Sequence, residues 1–346
     1  MRALLCESWA GWRGLRLTDV APPPLRPGGV RIAVAYASVG YALLLQTSGR
    51  YQRKPPLPFV PGTEVSGTVL EVAPDVSGFE PGDRVVAALD WGGFGEEAVA
   101  TAETVWHVPA AMPLDAATLM PTTYGTAHAS LHWRAGLTAG QTVVVLGAAG
   151  GVGVAAVEIA RLAGARVIAV TRTAERSELV RAHGAHHALV CDADQTHTLA
   201  AQIKAQTDGQ GADLVFDPVG GAQVEQALHA VRPEGKIVLI GFASGDVPQI
   251  PANLLLVKNV EVIGFNFGWY LGWSPVDARR RYAQQLREMM QTLFTQVGEG
   301  RLRPAPGACH ALADYAQAFE EVEGRRSTRR VILQLGTGAL GARSVP

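Results

Sequence analysis

From Thr142 onward the chain alternates short apolar runs with longer segments that place apolar residues every three or four positions. The runs at 142–146, 166–170, 188–190, 213–216, 236–240 and 260–265 are apolar nearly throughout and of strand length. The segments between them, at 151–163, 174–183, 198–207 and 222–231, read as helices. Strands without a polar face need cover on both sides, so the alternation predicts a parallel sheet with helices on both faces, an α/β doubly wound domain. Further helices are expected over 121–134 and, rich in Arg and Gln, over 277–297.

Residues 1–117 follow another pattern. Val30–Val39, Thr63–Val72 and Arg84–Leu89 are β-rich runs broken by turn residues such as Glu80-Pro81-Gly82-Asp83. Prolines at 22–24 and in Pro55-Pro56-Leu57-Pro58 forbid long helices there, so this part reads as a mostly β unit. The β pattern returns at Arg330–Leu335, and the small, polar tail Gly336–Pro346 is expected to be loose.

Composition narrows the partners. Thirty Lys and Arg against 31 Asp and Glu give a net charge of -1, with no basic stripe for nucleic acid. No window approaches the roughly 20 apolar residues of a membrane span. Cys6, Cys191 and Cys309 are dispersed and odd in number, and Glu7 interrupts the N-terminus where a signal peptide needs an apolar run. The expectation is a cytoplasmic protein of a reducing compartment.

The sharpest local motif is VVVLGAAGGVGVAAVEIA, residues 143–160: an apolar strand, a turn holding Gly147, Gly150, Gly151 and Gly153, and a helix. Glycines permit the tight turn and let backbone approach a pyrophosphate seated on the unpaired N–H groups of the helix start. About 20 residues on, an NAD site carries an acid for the ribose 2′-hydroxyl. Here the second strand ends in Thr171-Arg172-Thr173, with Arg176 following. Two guanidiniums and two hydroxyls suit a 2′-phosphate, which favours NADPH over NADH.

With these motifs in place, the sequence resembles the zinc-free quinone oxidoreductase branch of the medium-chain dehydrogenase/reductase superfamily. The likeness rests on SGRYQRKPPLPFVPGTEVSGTV (48–69), the glycine loop, DPVGG (217–221), IGFASG (240–245), PANLLLVKN (251–259) and GRLRP (300–304). It implies a GroES-like β domain from residues 1–117 and 298–346, a Rossmann domain over 118–297, and NADPH in the cleft between them. Homodimers or homotetramers are implied as well. The implied cofactor contacts are Tyr41, Thr123, Ala149, Gly150, Gly151, Val152, Gly153, Thr171, Arg172, Thr173, Arg176, Ile240, Gly241, Phe242, Ala243 and Asn266.

Departures from that family sharpen the expectation. Zinc-dependent relatives carry metal ligands where this chain has Gly40, Thr63 and Thr118, none of which replaces a thiolate or imidazole. Gly40 and Leu43 also stand where the zinc-free branch usually has Asn and Asp, which predicts a more apolar or differently shaped substrate pocket. Cys191, where relatives often have Tyr, reads as a packed thiol. Tyr51 matches the proposed proton donor of related enoyl-thioester reductases, against the plainer reading of a packing ring.

The expected activity is NADPH-dependent, metal-free reduction of a small molecule: a quinone or an electron-poor conjugated C=C. An enoyl-thioester reductase and a non-catalytic NADPH-binding protein are the alternatives. His128 and His132 lack a third ligand and are not expected to hold metal, while His183, His186 and His187 read as surface charge partners at a helix end. The aromatic run Trp269–Trp273 is left as either core, subunit contact or pocket wall.

Overall fold

The computed structural model describes residues 1–192 and 196–336; the tail beyond Gly336, expected to be loose, lies outside them. Two compact units divide the chain, one of Met1–Thr122, Gly268–Gly300 and Pro304 onward, the other of Thr123–Phe267 with Arg301–Arg303.

In the second unit six parallel strands form one sheet. In chain order they are Thr142–Val145, Arg166–Thr171, His187–Val190, Ala212–Asp217, Val231–Leu239 and Glu261–Gly264. Their spatial order is third, second, first, fourth, fifth, sixth. This is the doubly wound Rossmann order, which reverses between the first and fourth strands and leaves a crevice at their carboxyl ends. Val143, Val144, Val145, Val167, Ile168, Val215 and Ile237 are fully buried, as expected of strands covered on both faces. The helix expected over 121–134 forms with wide π-type turns at Met120–Tyr124 and Ala129–Arg134 around an α turn at Gly125–His128.

The first unit is a GroES-like β unit. Its main sheet runs Ala308–Ala311, Val331–Gln334, Gly29–Val39, Glu64–Val72, Arg84–Ala88 and Val105–His107, with Glu97–Thr101 also pairing Gly29–Val39. Early and late parts of the chain meet in this sheet, since Val331 pairs with Val39 and Gln334 with Tyr36. Its core stacks Trp12 on Phe319, with Phe94 edge-on to Phe319. Phe319 belongs to the helix Tyr315–Glu323, which the sequence pattern did not single out.

The segment Gly268–Gly300 sides with this first unit, whereas the sequence placed everything to 297 in the Rossmann domain. The reason is a set of long-range bonds from the start of the helix Arg279–Gly298. Arg279 bonds Asp90 at 2.8 Å and Thr101 at 2.9 Å, and Arg280 bonds Glu103 at 3.2 Å. Periodicity shows the helix but not which sheet its first turn will meet.

Candidate active site

In the second unit, the glycine turn leaves the first strand at the point where the strand order reverses. Gly147 has φ +56°, a left-handed conformation glycine adopts without strain, and Val219 of the neighbouring loop would meet any Cβ placed there. Gly153 is required for another reason. A Cβ on it would collide with the Gly147 carbonyl and stand 2.8 Å from the Ala148 backbone, so its absence lets the helix Gly151–Leu162 close onto the strand. Gly150 caps that helix in an extended conformation and offers no side chain to the first-turn N–H groups. Those donors remain for an acceptor from outside.

Facing this turn, two further loops are laced together. Asp217 Oδ1 accepts from the N–H of Val219 at 2.7 Å and of Gly220 at 3.0 Å, folding DPVGG into a tight turn. Ala243 and Ser244 donate their N–H groups to Pro218 and Val219, which seats Ile240, Gly241, Phe242 and Ala243 on the same edge. A Cβ on Gly241 would meet nothing closer than Pro218 O at 3.7 Å. The protein's own packing therefore does not require glycine there; a ligand approaching the backbone would. Asn266, exposed, follows the sixth strand, and Thr123 is buried in the first π-type turn.

The second strand's tip separates the four groups that the sequence grouped together. Thr171 is buried and its hydroxyl is shared with Ser177 Oγ at 2.7 Å and Thr173 O at 3.1 Å. Thr173 caps the next helix by accepting from Arg176 N. Arg172 is exposed and Arg176 half-buried. Burial and the charge of Arg172 together push Arg176 below its ordinary value, the mark of two cations held at one spot.

Another group on the glycine-loop helix went unnoticed in the sequence. Glu158 is 2% exposed and accepts from Tyr124 Oη at 2.7 Å, with His183 Nδ1 2.7 Å from its other oxygen. This corrects the surface reading of His183. His186 is exposed, as expected, with Nδ1 accepting from Val167 N at 2.9 Å, and His187 lies 3.0 Å from Arg166. Cys191 is buried, and burial pushes its thiol up. The rings of His128 and His132 are 4.6 Å apart, and burial, then the neighbouring His132, pull His128 down to about 4.

The first unit holds a separate recess lined by Leu43, Gln46, Tyr51, Arg53, Asp90 and Trp273 among others. Its wall is the helix Tyr41–Thr47, too short to show a period in sequence and missed there. Tyr41 opens this helix. Gly49, at φ +67°, reverses the chain at its end, and the Arg50 and Tyr51 N–H groups both return to Leu45 O. That return seats the Tyr51 ring on the wall. Burial raises its phenol above the ordinary value, so the hydroxyl is a donor at neutral pH, and it has no hydrogen-bond partner among the described residues. Opposite, Asp90 accepts from Arg53 at 2.6 Å and Arg279 at 2.8 Å. Burial pushes Asp90 up, but the two guanidiniums win and hold it below the usual carboxylate range. Of the aromatic run, Trp273 lines the recess, Leu271 is buried and Trp269 is exposed.

Of the three positions of metal ligands in zinc relatives, Gly40 and Thr118 are otherwise occupied and Thr63 lines the recess. A Cβ on Gly40 would collide with Arg330 Nη1, so a guanidinium fills the space a side chain would take there. Thr118 spends its hydroxyl on Ser66 Oγ at 2.6 Å and Leu114 O at 2.9 Å. Glu64, wholly buried, accepts from Ser38 Oγ and from Thr122 N, each at 2.6 Å.

Comparison with known proteins finds two family matches in the chain. Residues 26–110 match the alcohol dehydrogenase GroES-like domain family, and residues 151–288 match the zinc-binding dehydrogenase family. The chain is 34% identical over 335 residues to quinone oxidoreductase-like protein 2 of Mus musculus, covering 96% of this chain and 92% of the relative. A mycobacterial protein solved in complex with NADPH is 28% identical, with a TM-score of 0.88 over 97% of this chain and 100% of that one. The quinone oxidoreductase of Thermus thermophilus, also solved with NADPH, is 27% identical with a TM-score of 0.81, over 97% and 100% of the two chains.

Proposed function

Because the chain belongs to the quinone oxidoreductase-like branch of the medium-chain dehydrogenase/reductase superfamily, a family of oxidoreductases, we propose that it is an NADPH-dependent reductase. Its substrates on this reading are quinones or C=C bonds conjugated to a carbonyl, reduced without a metal. The observation that carries the reading is the pairing of the glycine turn with Arg172 and Arg176 at the next strand's tip.

The fit to NADPH is local and physical. Gly150, Gly151, Val152 and Gly153 present the uncapped helix start to the pyrophosphate, and Ala149 and Gly241 leave backbone open beside it. Arg172 and Arg176 supply two cations for the 2′-phosphate, and Thr171 and Thr173 shape the turn that carries them. Ile240, Phe242, Ala243, Asn266, Thr123 and Tyr41 complete the expected contact set. When bound, NADPH supplies the hydride from its nicotinamide ring, and the protein's task is to orient and shield it.

Tyr51 is the candidate proton donor, because its unpartnered phenol stays protonated and faces the recess. The metal-free reading is supported by the Arg330 guanidinium against Gly40, which opposes a dication, and by the committed hydroxyl of Thr118. The same reading includes a homodimer or homotetramer in the cytoplasm. Leu256 and Val257 are 79% and 78% exposed beside the open edge strand Glu261–Gly264, which is a surface suited to self-association. No helix among the described residues is long and apolar enough to cross a membrane.

Stopped-flow oxidation of NADPH against quinones, enones and enoyl thioesters tests the reading. Turnover with a quinone or enone is expected. Tight NADPH binding with no oxidation by any of them would identify a binding protein instead.

A further inference from the structure

Gln46 lies on the recess wall one helical turn beyond Leu43 and is only 4% exposed. Its Oε1 is buried without a hydrogen-bond partner among the described residues. A buried acceptor left unpaired lowers stability, and a fold retains one where a ligand completes it. Beside it stands a second polar group awaiting a partner, the Tyr51 hydroxyl. Turned about its last bond, the carboxamide can offer either its oxygen or its N–H₂ to whatever enters.

The rest of the wall says what enters. Ala42, Leu43 and the Trp273 indole are apolar and suit a flat ring. The charged groups cancel locally: Arg53 and Arg279 are bound to Asp90, and Arg279 also bonds Asp277 at 2.9 Å. Two guanidiniums against two carboxylates leave no net charge for an anionic ligand.

We propose that Gln46 is the specificity-determining residue of this recess: its carboxamide, with the Tyr51 hydroxyl, hydrogen-bonds the oxygen of a neutral, planar carbonyl compound of the quinone or cyclic-enone type. This rests on the reductase reading above and chooses within it, favouring a neutral ring over an anionic acyl thioester. The oxygen gains negative charge as the ring is reduced, so a donor aimed at it is worth more in the transition state than in the ground state.

The test compares Gln46→Leu with the unaltered chain, and Gln46→Met provides the same change with an unbranched side chain should the first fold poorly. With 1,4-naphthoquinone, kcat/KM should fall at least tenfold while the Kd for NADPH stays within twofold. Removing the unpaired group should also raise Tm by about 2–4 °C. The unaltered chain should prefer 1,4-naphthoquinone to its sulfonated, anionic analogue and to crotonyl-CoA. If Gln46→Leu and Gln46→Met leave kcat/KM unchanged, or lower Tm, the assignment of Gln46 fails although the reductase reading stands. If crotonyl-CoA is the better substrate, the neutral-ring preference fails. If no quinone or enone oxidises NADPH in the unaltered chain, the reductase reading fails and takes the assignment with it.

Discussion

The glycine turn of the second unit and the recess of the first are built on opposite principles. At the turn, the groups offered to a ligand are mainly backbone N–H donors, exposed because Gly150 and Gly241 have no side chains in the way. Only Arg172 and Arg176 add side-chain charge, one exposed and one half-buried at a single helix start. In the recess every group offered is a side chain, and the charged ones are held by residues distant in sequence: Arg53 by Asp90, Asp90 by Arg279. A backbone site tolerates much change at its neighbours. A side-chain site stands or falls with its supports.

Mutations can press on that difference, and the largest effect is expected in the recess. Asp90→Ala removes the common partner of Arg53 and of Arg279, which is 5% exposed, and leaves that buried cation with only the exposed Asp277 to offset it. Breaking such a pair typically costs about 3–5 kcal/mol. Urea unfolding of the variant should show a loss of that order, while a loss under about 1 kcal/mol would mean that water already screens the cluster.

The turn should respond in binding rather than stability. Arg172→Ala/Arg176→Ala removes two charge-assisted contacts to a 2′-phosphate, together about 2–4 kcal/mol after discounting for solvent, or roughly 30- to 1000-fold in the NADPH/NADH affinity ratio. NADH affinity and Tm should change little. Equal affinity of the unaltered chain for both cofactors would remove the basis for the prediction.

A buried side chain inside the second unit sharpens the contrast through pH. His128 protonates at about 4 in the folded chain, against 6.5 for the ordinary imidazole, and its Nδ1 has no partner among the described residues. Its folded value is lowered, so the unfolded chain binds the proton first. Stability should be full above pH 6.5, fall as pH drops toward 4, and level off below, for a total of about 2–3 kcal/mol. In His128→Phe the slope over that window should flatten. A slope that is unchanged would assign the acid sensitivity elsewhere.

The smallest expected effect separates the two roles of the Tyr51 ring and hydroxyl. Tyr51→Phe keeps the packing and removes the donor. Loss of general-acid help should lower kcat on an enone by at least about tenfold, a part of the 10²–10⁴ typical of such groups when fully engaged. Quinone reduction, whose product can take protons from water, should fall less, and NADPH affinity should hold. An unchanged kcat on every substrate would leave Tyr51 as a packing residue.

The Rossmann unit was legible residue by residue because its determinants are local. Strands such as Thr142–Val145 and Arg166–Thr171 carry their burial in their composition, and the glycine turn needs particular residue types at particular steps whatever surrounds it. Even so, the Thr171 hydroxyl is shared with Ser177, a bond between residues six apart that no pattern announces. The missed features share one cause. The helix Tyr41–Thr47 is shorter than the span over which a helical period shows, and the pocket, expected at Gly40 and Leu43 to be more apolar or differently shaped, is lined as well by Gln46, Arg53 and Asp90. Glycine at position 40 reads in sequence as a lost side chain. In the structure its space belongs to the Arg330 guanidinium, from a strand nearly three hundred residues away. By itself the sequence determined where backbone turns tightly, which segments are buried on both faces, and which cations stand at the second strand's tip, since each depends on neighbours along the chain. Which charges neutralise one another, which polar group is left waiting in the recess, and which sheet the helix Arg279–Gly298 joins were decided only by tertiary structure, because those energies depend on what long-range packing brings within hydrogen-bond distance.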